Sequence, residues 1–154
     1  MKNSHTPIRI AVVESGWHGE LVSEATGAFI QRVHEEVPDL KIDRLRVPGA
    51  FEIPLRAQRL ARSGDYAAIA GCALVVDGGI YRHDFVASAV VNGLMQVQLA
   101  EDLPMFSAVL TPHHFQEHAP HLEFFGAHMQ LKGRELAEAV LTSLRAEDKV
   151  ASAE

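Results

Sequence analysis

Three short apolar runs and one alternating segment are interleaved with four stretches of helical spacing along the chain. The first run, Ile8 to Val13, reads as a buried strand and ends at the loop signal Glu14-Ser15-Gly16-Trp17. Apolar positions then recur at helical spacing from Glu20 to Val37 (Leu21, Ala25, Ala28, Phe29, Val33), and Pro38 stops the helix. From Leu40 to Val47 apolar and charged residues alternate, as on a strand near a sheet edge. Pro48-Gly49 breaks the chain. A helix follows over Ile53 to Ser63, with Gly64 as its cap. Ala67 to Val76 is a continuous apolar run, the mark of a strand covered on both faces. Asp84 to Ala100 predicts a long helix, Met105 to Leu110 a short strand and Leu131 to Arg145 a final amphipathic helix. The βαβαβαβα order predicts an α/β fold with a parallel sheet and helices on both faces.

The helix from Phe85 to Leu99 is apolar nearly all round, whereas a helix on one sheet face needs a single apolar stripe. Its second side predicts either a contact with another subunit or cover by a loop of its own chain. The length, 154 residues, is that of one domain, 1–154, with 1–7 and 147–154 as loose tails. A net charge of −6, with no basic cluster, argues against nucleic acid and anionic membranes as partners. The most apolar stretch, Phe85 to Ala100, is too short to span a bilayer. The single cysteine, Cys72, cannot form an internal disulfide, which fits a reducing, cytoplasmic setting.

In open parallel sheets ligands bind beyond the carboxyl ends of the strands. The loops expected there are Glu14 to His18, Pro48 to Glu52, Asp77 to His83 and Thr111 to His114. Trp17, the only tryptophan, sits on a loop tip, where a large ring is costly unless it packs or stacks. Gly78-Gly79 leads towards a helix start whose N–H groups could hold an anion, or is a plain strand-to-helix turn. It is neither a dinucleotide nor a triphosphate motif. Five of the nine histidines lie between His113 and His128, and His114 and His118 have i, i+4 spacing. Without an HExxH arrangement or a nearby cysteine, exposed or interface histidines are the expectation, and no metal. Cys72, mid-strand among small apolar residues, reads as inert core.

Arg46 to Pro54 (RVPGAFEIP) resembles the most distinctive motif of the lumazine synthases. The likeness extends from about Ile8 to Leu144. Trp17 stands where the family usually has Phe, Gly78 precedes an aligned Asp84, and Lys132-Gly133 with Glu135 is similar to the family's Lys-Gly-x-Glu segment. The resemblance implies a three-layer flavodoxin-like sandwich with a four-stranded parallel sheet. It implies condensation of 5-amino-6-(D-ribitylamino)uracil with 3,4-dihydroxy-2-butanone 4-phosphate, giving 6,7-dimethyl-8-ribityllumazine, phosphate and water, without metal or cofactor. It also implies pentamers with each site shared between neighbours. By position Trp17 stacks on the pyrimidine. Gly49, Ala50, Phe51 and Glu52 bind substrate, the last three at the ribityl chain. Val75 and Val76 meet the pyrimidine edge through backbone groups. Gly79 and Ile80 offer N–H groups to phosphate, with Lys132 in support, and Glu135 lies at the site.

The chain also departs from the family pattern. Arg82 stands at the position of the usual proton-shuttling His, and His83 one place later. Ser107 aligns with an aromatic residue supplied by the neighbour. The family's phosphate-binding Arg has no clear counterpart in the histidine-rich stretch from Thr111 to Gln130. Leu110 to Phe115 (LTPHHF) and Arg82 to Val86 (RHDFV) together resemble the type II branch, whose members tend to be decamers of two pentamers. Imine formation, loss of phosphate and ring closure demand no protein nucleophile, so alignment of two reactants and proton shuttling suffice. A flavin- or lumazine-binding protein with little turnover needs the same pocket, with riboflavin as its ligand. A generic flavodoxin-like regulator is a third reading, against which the motif at Arg46 to Pro54 argues.

Overall fold

The computed structural model describes residues 8–76, 82–111 and 119–151, with side chains in the last stretch from Phe124 onward. Four strands form one parallel sheet: β1 (Arg9–Ser15), β2 (Lys41–Val47), β3 (Ala68–Leu74) and β4 (Met105–Leu110). Between and after them run α1 (Gly19–Glu36), α2 (Ile53–Ser63), α3 (His83–Glu101) and α4 (Ala119–Ala146). The strand order is β2-β1-β3-β4, so the alternating segment predicted near an edge is an edge strand. All seven residues of β3 are buried, as its unbroken apolar run predicts. This is the three-layer α/β sandwich expected from the element order.

Side-chain alternation divides the core in two. Ile10, Val12, Ala70, Cys72 and Ala108 face α1 and α4, where they meet Phe29, Val33, Met129 and Leu141. Ala11, Val13, Ile69 and Ala73 face α2 and α3, where they meet Ile53, Val90 and Leu94. Cys72 is fully enclosed, and burial pushes its thiol up to about 12 despite a hydrogen bond with Thr26, so it stays a protonated core residue.

Two segments differ from the sequence expectation. The last helix begins at Ala119 rather than Leu131. Phe125 and Met129 are buried two turns and one turn before Gly133 and continue the inward face to Leu136, Val140 and Leu144, so the helix is packed far upstream of its regular amphipathic part. Residues 147–151 turn back, with Arg145 Nε donating to the Ala151 carbonyl at 3.1 Å and Val150 resting on the core.

Only one side of α3 is used by the sheet. Ala87, Val90, Leu94 and Val97 are buried, while Phe85, Val91, Met95 and Leu99 are exposed, Leu99 by 74%. No helix among the described residues is long and apolar enough to cross a membrane.

Candidate active site

The carboxyl ends of β1 and β2 are tied together by backbone hydrogen bonds. Gly16 N–H donates to the carbonyls of Val47 and Pro48 at 2.7 and 3.1 Å, and Trp17 N–H donates to Pro48 at 3.1 Å. The β1 loop is thereby drawn towards β2. It enters α1 through His18, a non-glycine residue held in the left-handed region at φ 55°. Trp17 projects from this loop and is 61% exposed.

Beneath the indole lies the segment that leaves β2. Gly49 is buried, and a Cβ built there would stand 3.1 and 3.2 Å from Trp17 Cε3 and Cζ3. Gly49 is extended (φ −142°), so the close approach of the ring, not the backbone, is what calls for glycine. Residues Ala50–Glu52, within the expected loop Pro48 to Glu52, form a single 3₁₀ turn. Glu52 Oε2 accepts the Gly49 N–H at 2.9 Å and closes that turn. Ala50 is buried, whereas Phe51 is 69% exposed. Trp17, Gly49, Phe51 and Glu52 therefore share one rim, with an open aromatic face and a carboxylate.

The remaining expected residues fall elsewhere. Val75 is buried just past β3, and its N–H donates to the Leu110 carbonyl at 2.7 Å, so its contact with a ligand would go through its carbonyl. Val76 is half-buried. Arg82 precedes α3, exposed, with its guanidinium carbon 4.6 Å from the centre of the Phe85 ring and Nη2 3.4 Å from Asp84 Oδ2. His83 is the first residue of α3 and half-buried. Gly79 and Ile80, expected to hold phosphate, and His113, His114 and His118 lie outside the described residues. His128 stacks on the Phe124 ring at 6.3 Å. Among the described residues no three His, Cys, Asp or Glu side chains are grouped as a metal would need.

Ser107, Lys132 and Glu135 come together. They line a hollow of about 310 Å³ between β4 and α4, with Phe106, Leu110 and Leu136. Lys132 Nζ is 3.0 Å from Glu135 Oε2. This hollow flanks β4, the outer edge opposite β2, while the Trp17 rim stands over β1 and β2. At strand spacings near 4.8 Å, β1 and β4 are roughly 10 Å apart.

The sequence reading missed one cluster beneath the rim. Glu14, at the end of β1, is 3% exposed. It accepts two hydrogen bonds from Arg44, at 2.9 and 3.0 Å, and a third from Arg46 at 3.4 Å. Burial raises its carboxyl pKa, but the hydrogen bonds from Arg44 and Thr26 and the charges of Arg44 and Arg46 outweigh it and hold the group below the ordinary value. A charged residue closing an otherwise apolar strand was the available signal.

Comparison with known proteins follows the same lines. The sequence profile of the 6,7-dimethyl-8-ribityllumazine synthase family matches residues 7–147. A 6,7-dimethyl-8-ribityllumazine synthase of Rhodococcus erythropolis is 55% identical over 133 residues, covering 86% of each chain. Two proteins named 6,7-dimethyl-8-ribityllumazine synthase 2 are also similar. That of Pseudomonas syringae pv. tomato is 47% identical over 142 residues, or 92% of this chain and 84% of its own. That of Bradyrhizobium diazoefficiens is 49% identical over 138 residues, or 90% and 83%.

Proposed function

The chain belongs to the 6,7-dimethyl-8-ribityllumazine synthase family, and from that premise we propose how it works: it condenses 5-amino-6-(D-ribitylamino)uracil with 3,4-dihydroxy-2-butanone 4-phosphate at the Trp17 rim. It is an enzyme, a transferase of riboflavin biosynthesis. The observation that carries the reading of the site is the approach of Trp17 to Gly49, inside the motif from Arg46 to Pro54. It leaves a flat aromatic face beside Phe51 and Glu52, suited to a heterocycle with a polyhydroxy chain.

In this reading Trp17 stacks on the pyrimidine, and Glu52 and backbone groups of Ala50 and Phe51 take the ribityl hydroxyls. Backbone groups of Val75 and Val76 meet the pyrimidine edge. The N–H groups of Gly79 and Ile80, with Lys132, hold phosphate. Arg82 adds a permanent positive charge, and His83 can carry protons. The reaction needs no cofactor. The amine attacks the ketone, water leaves to form the imine, phosphate is eliminated, and ring closure releases the second water. Holding both reactants aligned supplies much of the acceleration.

The separation of the Trp17 rim from the Lys132 hollow supports a site completed by a neighbour. The rim stands over β1 and β2 and the hollow lies beyond β4, so in this reading the hollow of one subunit faces the Trp17 rim of the next. The exposed stripe of Phe85, Val91, Met95 and Leu99 offers the apolar surface for such contacts. The assembly in this reading is a decamer of two pentamers, each subunit a single domain over 1–154, working in the cytoplasm. The test is turnover with both substrates, followed by lumazine absorbance, beside a riboflavin titration. Lumazine formation is the expected result. Tight riboflavin binding without turnover would replace the catalytic reading with a ligand-binding one.

A further inference from the structure

The inward series on β1 is Ile10, Val12, Glu14. The first two are core residues beneath α1 and α4, and Glu14 sets a carboxylate in line with them. Arg44 alone, with two hydrogen bonds to that carboxylate, meets its demand for a counter-charge. Arg46 is surplus to that need. It stands directly across the strand pair from Glu14, contacts it at 3.4 Å and reaches Ser23 Oγ at 3.4 Å, yet its side chain is 57% exposed. Only the Glu14 end of this pair is buried, and at 3.4 Å the Arg46 contact is longer than either bond from Arg44.

Arg46 also lies beside the Trp17 loop. Its Cδ lies 3.7 Å from where a Cβ on Gly16 would stand, and its guanidinium nitrogens lie 3.9 and 4.0 Å from the same point on Gly19. These two glycines are the feet of the loop that carries Trp17 and His18. The Arg46 side chain therefore runs along both feet, across a turn that already holds His18 in a sparsely populated conformation. We propose that Arg46, anchored by Glu14 and Ser23, is a positioning residue that fixes the Trp17 ring and so sets affinity for the pyrimidine substrate. This rests on the reading of Trp17 as the stacking residue, but the position of the ring can be followed without any ligand.

Trp17 is the sole tryptophan, so its fluorescence reports the loop directly. Arg46→Ala is expected to lower Trp17 anisotropy and increase quenching by acrylamide. It should raise the KM for the pyrimidine about fivefold, the scale of a partly lost ring stack. The KM for butanone phosphate and the melting temperature should stay near wild type. Arg46→Lys, which keeps the stem and the charge, should return the anisotropy most of the way. Unchanged anisotropy and quenching in Arg46→Ala would overturn the proposal. So would a fall in melting temperature with both KM values rising together, which marks a merely structural residue. If the wild-type protein proves to have no turnover, the catalytic reading fails, while anisotropy and acrylamide quenching still decide the role of Arg46.

Discussion

The Trp17 indole lies over Gly49 so closely that a methyl group at position 49 would meet Cε3 at 3.1 Å and Cζ3 at 3.2 Å, with Glu52 Oε2 at 3.3 Å. Because the backbone there is extended, Gly49→Ala strains contacts and not φ. Trp17 is exposed and can move aside, so folding should survive with a loss under about 1 kcal/mol. The displaced ring should weaken pyrimidine binding roughly two- to tenfold, the range of an aromatic stack. Kinetics with each substrate varied in turn, beside chemical denaturation, checks this. Wild-type affinity in Gly49→Ala would remove Trp17 from the pyrimidine site.

A second glycine is set by packing between helices. At Gly133 on α4, a Cβ would collide with the backbone carbonyl of Ala25 on α1, which cannot rotate away. Gly133→Ala should therefore force the two helices apart and cost about 3 kcal/mol or more, at the high end of overpacking penalties. A lowered melting temperature or insoluble expression is the expected outcome. A variant as stable as wild type would show that α1 and α4 cross less closely.

The exposed stripe on α3 gives a prediction about mass. Light scattering at micromolar concentration should give roughly ten times 16.9 kDa. Met95 and Leu99 sit one turn apart on that stripe, 51% and 74% exposed. Replacing both with Glu would bury like charges at a subunit contact and should release smaller species. A wild-type monomer would sink the shared-site model, and a double variant that stays assembled would move the interface off this stripe.

Glu14 predicts a dependence of stability on pH. Its carboxyl pKa is lowered in the folded protein from the ordinary 4.5. A depressed acid contributes stability that is present above its unfolded pKa and lost as pH falls through the folded one. Wild type should thus be more stable than Glu14→Gln at pH 7, and the gap should narrow below about pH 4.5, as Glu14 takes up a proton and comes to resemble glutamine. Urea midpoints of both proteins between pH 7 and 3 measure the gap. A constant gap would mean that the carboxylate's charge is not what Arg44 holds.

The strands were legible because continuous apolar runs such as 68–74 have few alternative fates, and β2 betrayed its edge position through alternation. The start of α4 was not legible. Gly126 and a density of histidines mask the i, i+4 pair Phe125 and Met129, whose meaning depends on α1 lying opposite. Trp17 announced itself as a costly exposed ring, and the motif after β2 pointed to its neighbour Gly49. The Arg46 contact with Glu14 was hidden, because it depends on the β1–β2 register that pairs these two residues. Charge patterns on single strands do not carry that register.

Arg82 and His83 pose the remaining question of proton traffic. Arg82 is extended at the entrance to α3, its guanidinium lying against the Phe85 ring and near Asp84. Arginine remains protonated at any working pH, so it can steady phosphate or a developing anion but cannot accept a proton. Histidine can do both near neutrality. Consecutive residues at a helix start diverge by about 100°, so one cannot simply substitute for the other. Arg82→Ala should raise the KM for butanone phosphate. Arg82→His should hold or raise kcat by restoring a titratable group. His83→Ala should cost less than about tenfold in kcat, below the range of a full general acid–base contribution. If instead His83→Ala loses about a hundredfold or more, with assembly intact, His83 is the shuttle and Arg82 serves only the phosphate.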